Sequence, residues 1–318
     1  MNTEKVEKIL IIGSGPAGYT AGIYAARSSL HPLLVTGLEP GGQLMITTDV
    51  ENYPGYENPI QGPWLMDQMK KQALAVGVNV ENDIVTGVNF ERFPFEITTE
   101  KRKIKTYSVV ISTGAKAKWL NIEGEKDFRG HGISACATCD GFFFKEKVVA
   151  VIGGGNTAAE EALYLSNICK KVFLIHRRDK LRAEMVLQDR LFKKKNIDFL
   201  WNQEVKRFVG EEKPRIIKKI EIYDKKSKEL NSLDIDGVFV AIGHSPSTEI
   251  FNGCVPMDEE GYIYTIDNLT QTKINGVFAA GDVSDKKYRQ AITAAGFGCM
   301  SAIEAENFLS KKKYYLTE

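Results

Sequence analysis

Cys136 and Cys139 frame the segment Cys136-Ala-Thr-Cys139, with Asp140 directly after it and Gly141 closing the run. This spacing brings two thiols within disulfide reach at the start of a helix or in a turn. A lowered thiol pKa in such motifs makes exchange fast near neutral pH. Zinc would need two further ligands. No second C-x-x-C exists, and the four histidines, His31, His131, His176 and His244, form no H-x-x-x-H-type pair. An inert pair of thiols is the other alternative. Asp140 is either an acid able to protonate a leaving thiolate or a turn residue, and spacing leaves both open.

Two glycine-rich segments supply the second kind of chemistry. Gly13-Ser14-Gly15-Pro16-Ala17-Gly18 follows the apolar run Lys8–Ile12 and opens an Ala-rich stretch to about Ser28, with a strand expected at Leu33–Thr36. That is a βαβ unit with the G-x-G-x-x-G spacing. Its glycines let the backbone approach a pyrophosphate, and the helix start offers free N–H groups to the charge. Pro16 suits a first helical position, where its missing N–H costs nothing. An acidic residue is expected roughly 20 positions on, to bond a ribose hydroxyl; Glu39 is the candidate. A turn that binds nothing is the bland alternative.

The same grammar returns 140 positions later. The run Lys147–Ile152 leads into Gly153-Gly-Gly155-Asn156-Thr157-Ala158, a helix to about Asn167 and a strand at Lys171–Ile175. Ala158 at the last fingerprint position is an accepted variant. Where an NAD site would show a carboxylate, this chain shows His176-Arg177-Arg178, with Arg182 a turn later. Guanidinium groups suit a 2′-phosphate, so the second fold reads as an NADPH site. The alternative is a solvated basic turn with Asp179 as its ion-pair partner.

The elements that must hold these groups follow from the remaining pattern. Strands ending in glycine are expected at Val109–Gly114 and Gly237–Gly243, and a third segment, Gly276–Asp282, ends in Gly281-Asp282. A helix is expected from about Arg289 to Leu309, and Lys311–Lys313 reads as its solvated end, where lysines suit the helix dipole. Asp282 could bond a polyol hydroxyl, and the helix opened by Tyr288-Arg289-Gln290-Ala291 could face the pyrimidine edge of a reduced flavin. A plain turn and helix cap fit those residues equally well. Cys169, Cys254 and Cys299 are scattered and read as small core or surface residues.

With 318 residues, two or three domains are expected. Hydrophobic residues at 43% and charged residues at 26% fit a folded chain rather than a disordered one. Lys+Arg 42 against Asp+Glu 41 leaves +1, which gives nucleic acid no basic face. No apolar run approaches the ~18 residues of a membrane span. The first residues, MNTEKVEK, lack the apolar core of a secretory signal. Five cysteines without such a signal favour a reducing cytoplasm.

A nicotinamide delivers two electrons as a hydride, and a disulfide needs two electrons but accepts hydride poorly. A flavin bridges the two. The chemistry therefore assigns the first fold to FAD and the second to NADPH, with the dithiol as outlet.

With these parts in place the sequence resembles the low-molecular-weight, bacterial-type thioredoxin reductases over essentially its whole length. The residues that carry the resemblance are GSGPAGYTAGIYAAR (13–27), GGQL (41–44), CATCDG (136–141), GGGNTA (153–158), HRRD (176–179), AIGHSP (241–246), AAGDV (279–283) and YRQAIT (288–293). The resemblance implies an α/β fold of two Rossmann-like domains of the three-layer ββα type, the NADPH domain inserted into a discontinuous FAD domain. The implied parts are 1–117 and 245–318 for FAD and 118–244 for NADPH and the dithiol. It implies a homodimer, thioredoxin as the protein substrate, and an NADPH domain that turns on its two connecting strands so that dithiol and nicotinamide meet the flavin alternately. Cys139 becomes the sulfur nearer the flavin, Cys136 the one that attacks the partner, and Asp140 the acid/base.

For FAD, the residues carried over are Gly13, Ser14, Gly15, Pro16, Ala17, Gly18, Thr36, Gly37, Glu39, Gly41, Gly42, Gln43, Asn52, Thr113, Gly114, Gly281, Asp282, Arg289, Gln290 and Ala291. For NADPH they are Gly153, Gly155, Asn156, Thr157, His176, Arg177, Arg178, Arg182, Ile242 and Gly243. Ser112 stands where the family often has Ala, a small change expected to cost no function. A ferredoxin or flavodoxin-NADP reductase-like flavoenzyme and a non-catalytic flavin redox sensor are the competing readings. The former lacks the active C-x-x-C, and the latter leaves the dithiol and Asp140 without a task. Peroxide-reducing relatives carry an extra N-terminal domain, for which Gly13 starts too early.

Overall fold

Continuous apolar runs suit strands buried on both faces, and the runs identified above lie in parallel sheets. The computed structural model describes residues 5–46 and 49–312. The first four residues and Lys313 lie outside the described residues. The chain divides into two units, Met1–Lys116 with Ser245–Glu318, and Ala117–His244.

In the first unit five strands run parallel in the order Val277–Ala279, Val109–Ile111, Leu10–Ile12, Leu33–Val35, Asn79–Glu81. Alternate residues of these strands feed two cores. Ile9, Ile11, Leu34, Val110 and Phe278 pack with the helices Pro16–Arg27, Gly62–Ala75 and Ala291–Lys311. Leu10, Ile12, Leu33, Val35, Val109 and Ile111 pack on the opposite face with Phe95, Ile97 and Ile104 of a second sheet. That second sheet comprises Val6–Glu7, Lys103–Thr106, Phe95–Thr99 and Val85–Asn89. The layering is ββα.

The second unit repeats it. Its parallel sheet has the order Ile133–Ser134, Gly237–Val240, Val148–Ile152, Lys171–His176, Ile197–Trp201. Val149, Val151, Val172, Leu174 and Phe239 face the helices Asn156–Leu165 and Met185–Phe192. Ala150, Ile152, Ile175, Val238 and Val240 face a three-stranded antiparallel sheet, Gln203–Glu212, Arg215–Asp224 and Leu230–Asp234. The fold class is thus α/β with two Rossmann-like ββα units, the second inserted into the first.

Boundaries shift by small amounts from the sequence reading. The last helix runs Ala291–Lys311 instead of starting near Arg289. Gln290 has an extended backbone and caps the helix through a capping box with Thr293, while Arg289 sits at φ 48°. No helix among the described residues is long and apolar enough to cross a membrane.

Candidate active site

In the first unit the strand Leu10–Ile12 ends at Gly13, and the helix Pro16–Arg27 begins with Pro16 in its first turn. A Cβ at Gly18 would stand 2.0 Å from the Gly13 carbonyl oxygen, so only glycine lets the helix sit this close to its own turn. Ser14 joins the turn to the loop after the next strand. Its hydroxyl donates to the Thr36 carbonyl (3.0 Å) and accepts from the Gly41 N–H (3.1 Å). Gly37 and Gly42 lie on the same loop, the Gly42 N–H bonding the Glu39 carbonyl at 3.0 Å. The Glu39 side chain is 61% exposed and pairs with Lys116 at 3.5 Å. Gln43 is exposed beside it.

Asn52 is brought to Gln290 from 238 residues away, its Nδ2 donating to the Gln290 Oε1 at 3.3 Å. Thr113 donates to the Ser247 carbonyl (2.7 Å), next to Gly114. Ser112 is satisfied by the carbonyls of Ile12 (2.9 Å) and Gly13 (3.2 Å). Asp282 follows Gly281 and has its Oδ1 buried without a hydrogen-bond partner. Burial, then the nearby Asp285, pushes its pKa up to about 7, with Arg289 opposing. Asp285 went unnoticed in the sequence. Its carboxylate accepts the N–H groups of Lys287 (2.9 Å), Tyr288 (2.9 Å) and Arg289 (3.1 Å) and so shapes the approach to Gln290 and Ala291. An Asp a few residues ahead of a helix was the available signal.

A buried carboxyl oxygen without a partner is costly. A ligand with hydroxyl groups beside a pyrophosphate would meet both Asp282 and the Gly13–Gly15 turn. These residues fit a flavin dinucleotide.

In the second unit the helix Asn156–Leu165 opens directly after Gly155. A Cβ at Gly154 would stand 2.2 Å from the His176 ring, which places that ring beneath the loop rather than out among the arginines. His176 is 5% exposed, and burial pulls its pKa down, so the ring is neutral at pH 7. The arginine-bearing turn is tied to the glycine loop. Arg182 N–H bonds the Gly154 carbonyl (2.6 Å), and Asn156 and Glu184 exchange two bonds, 2.9 Å and 3.1 Å. Glu184 was not singled out in the sequence. Asn202 N–H anchors the Arg178 carbonyl at 3.1 Å. Arg177, Arg178 and Arg182 are exposed, and among the described residues neither Asp179 nor any other carboxylate is ion-paired with them. Three unneutralised guanidinium groups beside a glycine loop fit a phosphorylated dinucleotide. Thr157 is half-buried in the first turn of the helix, and Ile242 and Gly243 follow Ala241, whose N–H donates to the Ile152 carbonyl at 2.9 Å.

The dithiol lies in the same unit. Cys136 and Cys139 form a disulfide with Cα atoms 5.3 Å apart. The turn Ala137–Asp140 holds them, with Cys139 and Asp140 N–H groups both donating to the Cys136 carbonyl (3.3 and 3.1 Å). Ala137 is buried and plugs the turn into the core. The Cys136 N–H is held by the Ser134 hydroxyl at 3.0 Å. Burial raises the pKa of Asp140 from its ordinary value, with the nearby Ser134 hydroxyl opposing. The structure therefore brings a disulfide and a carboxyl of raised pKa onto one turn. Cys169 is buried, and burial with the nearby Glu146 pushes its thiol up to about 11. Among the described residues no cluster of three or more His, Cys, Asp and Glu could hold a metal ion.

Residues 7–298 match the family described as pyridine nucleotide-disulphide oxidoreductase. The chain is similar to the thioredoxin reductase of Rickettsia conorii, 54% identical over 305 residues covering 96% of this chain and 98% of that protein. The Vibrio cholerae thioredoxin reductase is 48% identical over 319 residues, covering 98% and 99%. Among solved structures, thioredoxin reductase from Giardia duodenalis superposes with a TM-score of 0.91 at 37% identity, over 95% of this chain and 98% of that one.

Proposed function

The chain belongs to the pyridine nucleotide-disulphide oxidoreductases and, within them, to the thioredoxin reductases, and from that premise we propose that it moves two electrons from NADPH through FAD to Cys136–Cys139 and on to the disulfide of thioredoxin. A bound flavin would take hydride from the nicotinamide and pass the electron pair to sulfur. The protein's own residues do the rest. Gly13–Gly18, Asp282 and the Asp285-shaped loop to Ala291 bind and orient the flavin nucleotide. Arg177, Arg178 and Arg182 hold the 2′-phosphate that separates NADPH from NADH.

The outgoing half-reaction balances on three side chains. Cys136, as thiolate, attacks one sulfur of the partner disulfide. A Cys136–partner bond forms, the partner's S–S bond breaks, and Asp140 gives its proton to the departing thiolate. The Asp140 carboxylate then takes the proton of the Cys139 thiol. Cys139 attacks Cys136, restores the disulfide and releases the second partner sulfur as thiolate. Two electrons leave the dithiol, and Asp140 ends protonated as it began. Because dithiol and arginine-bearing nucleotide turn share the second unit, that unit would turn about the two chain crossings at 116–117 and 244–245 to present each in turn to a bound flavin. The working molecule on this reading is a cytoplasmic homodimer.

The observation that carries the reading is the closed Cys136–Cys139 disulfide sharing a turn with Asp140, whose pKa burial raises. Cys136→Ser tests it. The purified variant should bind flavin and bleach with NADPH as the parent does, yet lose thioredoxin reduction entirely. Turnover surviving in that variant would sink the assignment.

A further inference from the structure

We infer that Glu125 is a positioning residue for electron transfer: its buried carboxylate locks the chain leaving the first crossing onto the body of the second unit, so that dithiol and nucleotide turn move as one rigid piece. The inference rests on the reading that this unit turns about its crossings. Residues 118–124 follow the first crossing and belong to no helix or strand. Their N–H groups have no ladder to bond and take other acceptors instead. Glu125 supplies two. Its Oε1 accepts the Leu120 N–H (2.9 Å) and its Oε2 the Asn121 N–H (2.7 Å), where the Asn121 backbone is left-handed at φ 57°. Oε2 also accepts from Nη2 of Arg129 at 3.1 Å, and that guanidinium lies 3.9 Å from the centre of the Trp119 ring. Glu125 is 0% exposed. A buried charge persists only where partners converge on it, and these donors reach it from both sides along the chain.

The lock joins the crossing to the working groups. Upstream, the Lys118 N–H donates to the Gly243 carbonyl at 2.9 Å, so the outgoing and returning chains meet one residue inside the unit. Downstream, the turn Glu125–Phe128 leads through Arg129 to the strand Ile133–Ser134 and, two residues on, to Cys136. Each step is bonded. Gly130 N–H donates to the Ile133 carbonyl (3.0 Å), Ile217 N–H to the His131 carbonyl (3.1 Å) and Val238 N–H to the Gly132 carbonyl (2.8 Å). Trp119, Leu120 and Ile122 pack on the core that holds Phe128 and Ile133, and the same core takes Ile152 and Ile175, from the strands that lead to the glycine loop and to His176. With the carboxylate in place, any swivel is confined to the crossings. Without it, Leu120 and Asn121 lose their acceptors and slack enters between crossing and dithiol. Transfer between a flavin and either partner suffers from a misplacement of about 1 Å.

The test uses flavin-loaded Glu125→Gln, which keeps the shape and removes the charge. Amide exchange at Leu120 and Asn121 should speed up about tenfold or more, the scale of a lost bond to a charged acceptor. With NADPH and thioredoxin, kcat should fall about tenfold while KM for each stays within about twofold. One step should not change. Enzyme reduced with dithiothreitol, freed of it and mixed with oxidised thioredoxin should hand over its electrons at the parental rate, because that exchange needs no meeting with the flavin. Should Glu125→Gln fail to load flavin, the charge-neutral pair Glu125→Gln with Arg129→Met, which also removes the buried and unpartnered Nε of Arg129, is read the same way. Parental kcat despite faster amide exchange overturns the inference, as does an equal loss in the flavin-independent exchange, which marks a merely structural residue. Either result leaves the proposed function standing. A parent that passes nothing to thioredoxin after dithiothreitol reduction overturns that function and the inference with it.

Discussion

The two nucleotide turns share an architecture and differ in nearly everything that would choose a ligand. Both follow an apolar strand and open a helix over a parallel sheet. In the first unit the turn is tied to the loop after the second strand by the Ser14 hydroxyl, and the site shelters a carboxyl, Asp282, with one oxygen buried and unpartnered. In the second unit the tie is made by Asn156 and Glu184, a buried neutral His176 props the loop, and three guanidinium groups stand in solvent. One site withholds charge from water and the other displays it. A layered sheet-and-helix scaffold locates a dinucleotide, but the residues just past the strand ends decide which one.

The contrast can be broken most strongly at the arginines. Arg177→Ala with Arg178→Ala should cut the preference for NADPH over NADH by about 100-fold or more, since each charge-assisted bond to a phosphate is worth about 10-fold or more. Rates of flavin bleaching by the two nucleotides measure it, and flavin content should not change. Retained preference would remove the role given to these residues.

At Asp282 the effect is one of pH. In the flavin-free chain its carboxyl titrates near about 7 rather than at the ordinary 3.8. Between those values the folded chain holds a proton that the unfolded chain has lost. The folded state therefore loses stability as pH rises through that window and levels off above it. Asp282→Asn should flatten this dependence, with thermal midpoints of stripped parent and variant compared from pH 4 to 8. An unchanged slope would mean that the carboxyl is not sheltered in solution.

The smallest effect is expected at Glu39. Its exposed pair with Lys116 at 3.5 Å is worth at most about 0.5 kcal/mol, so Glu39→Gln should leave the thermal midpoint alone. If the carboxylate holds a ribose hydroxyl, flavin affinity should still fall about fivefold by titration of the stripped protein.

Legibility in the sequence followed locality. The strand, glycine turn and helix of each unit are contiguous, and runs such as Ile9–Ile12 and Val149–Ile152 announce burial on both faces because nothing polar interrupts them. The antiparallel strands Gln203–Glu212 and Arg215–Asp224 were not legible. One face is wet, and register shifts at Val205/Arg207 and Val209/Gly210 break the period-two alternation that would mark them. Asp285 and Glu184 were likewise hidden. Their work is to hold backbone and side chains of neighbouring loops, and an acidic residue in a loop does not declare which partner it will hold; for Asp285 the one signal was its place a few residues ahead of a helix.

Residue order alone determined the chemistry available to this protein: two thiols and a carboxyl in one short segment, two phosphate-binding turns, and arginines after the second. Those are short-range facts, set by bonds along the chain. Tertiary structure alone decided how the groups are tuned, as when Asn52 meets Gln290 and the His176 ring slides under Gly154. Burial and hydrogen bonding act through space, and proton affinities such as those of Asp140 and Asp282 exist only once distant segments have closed over them.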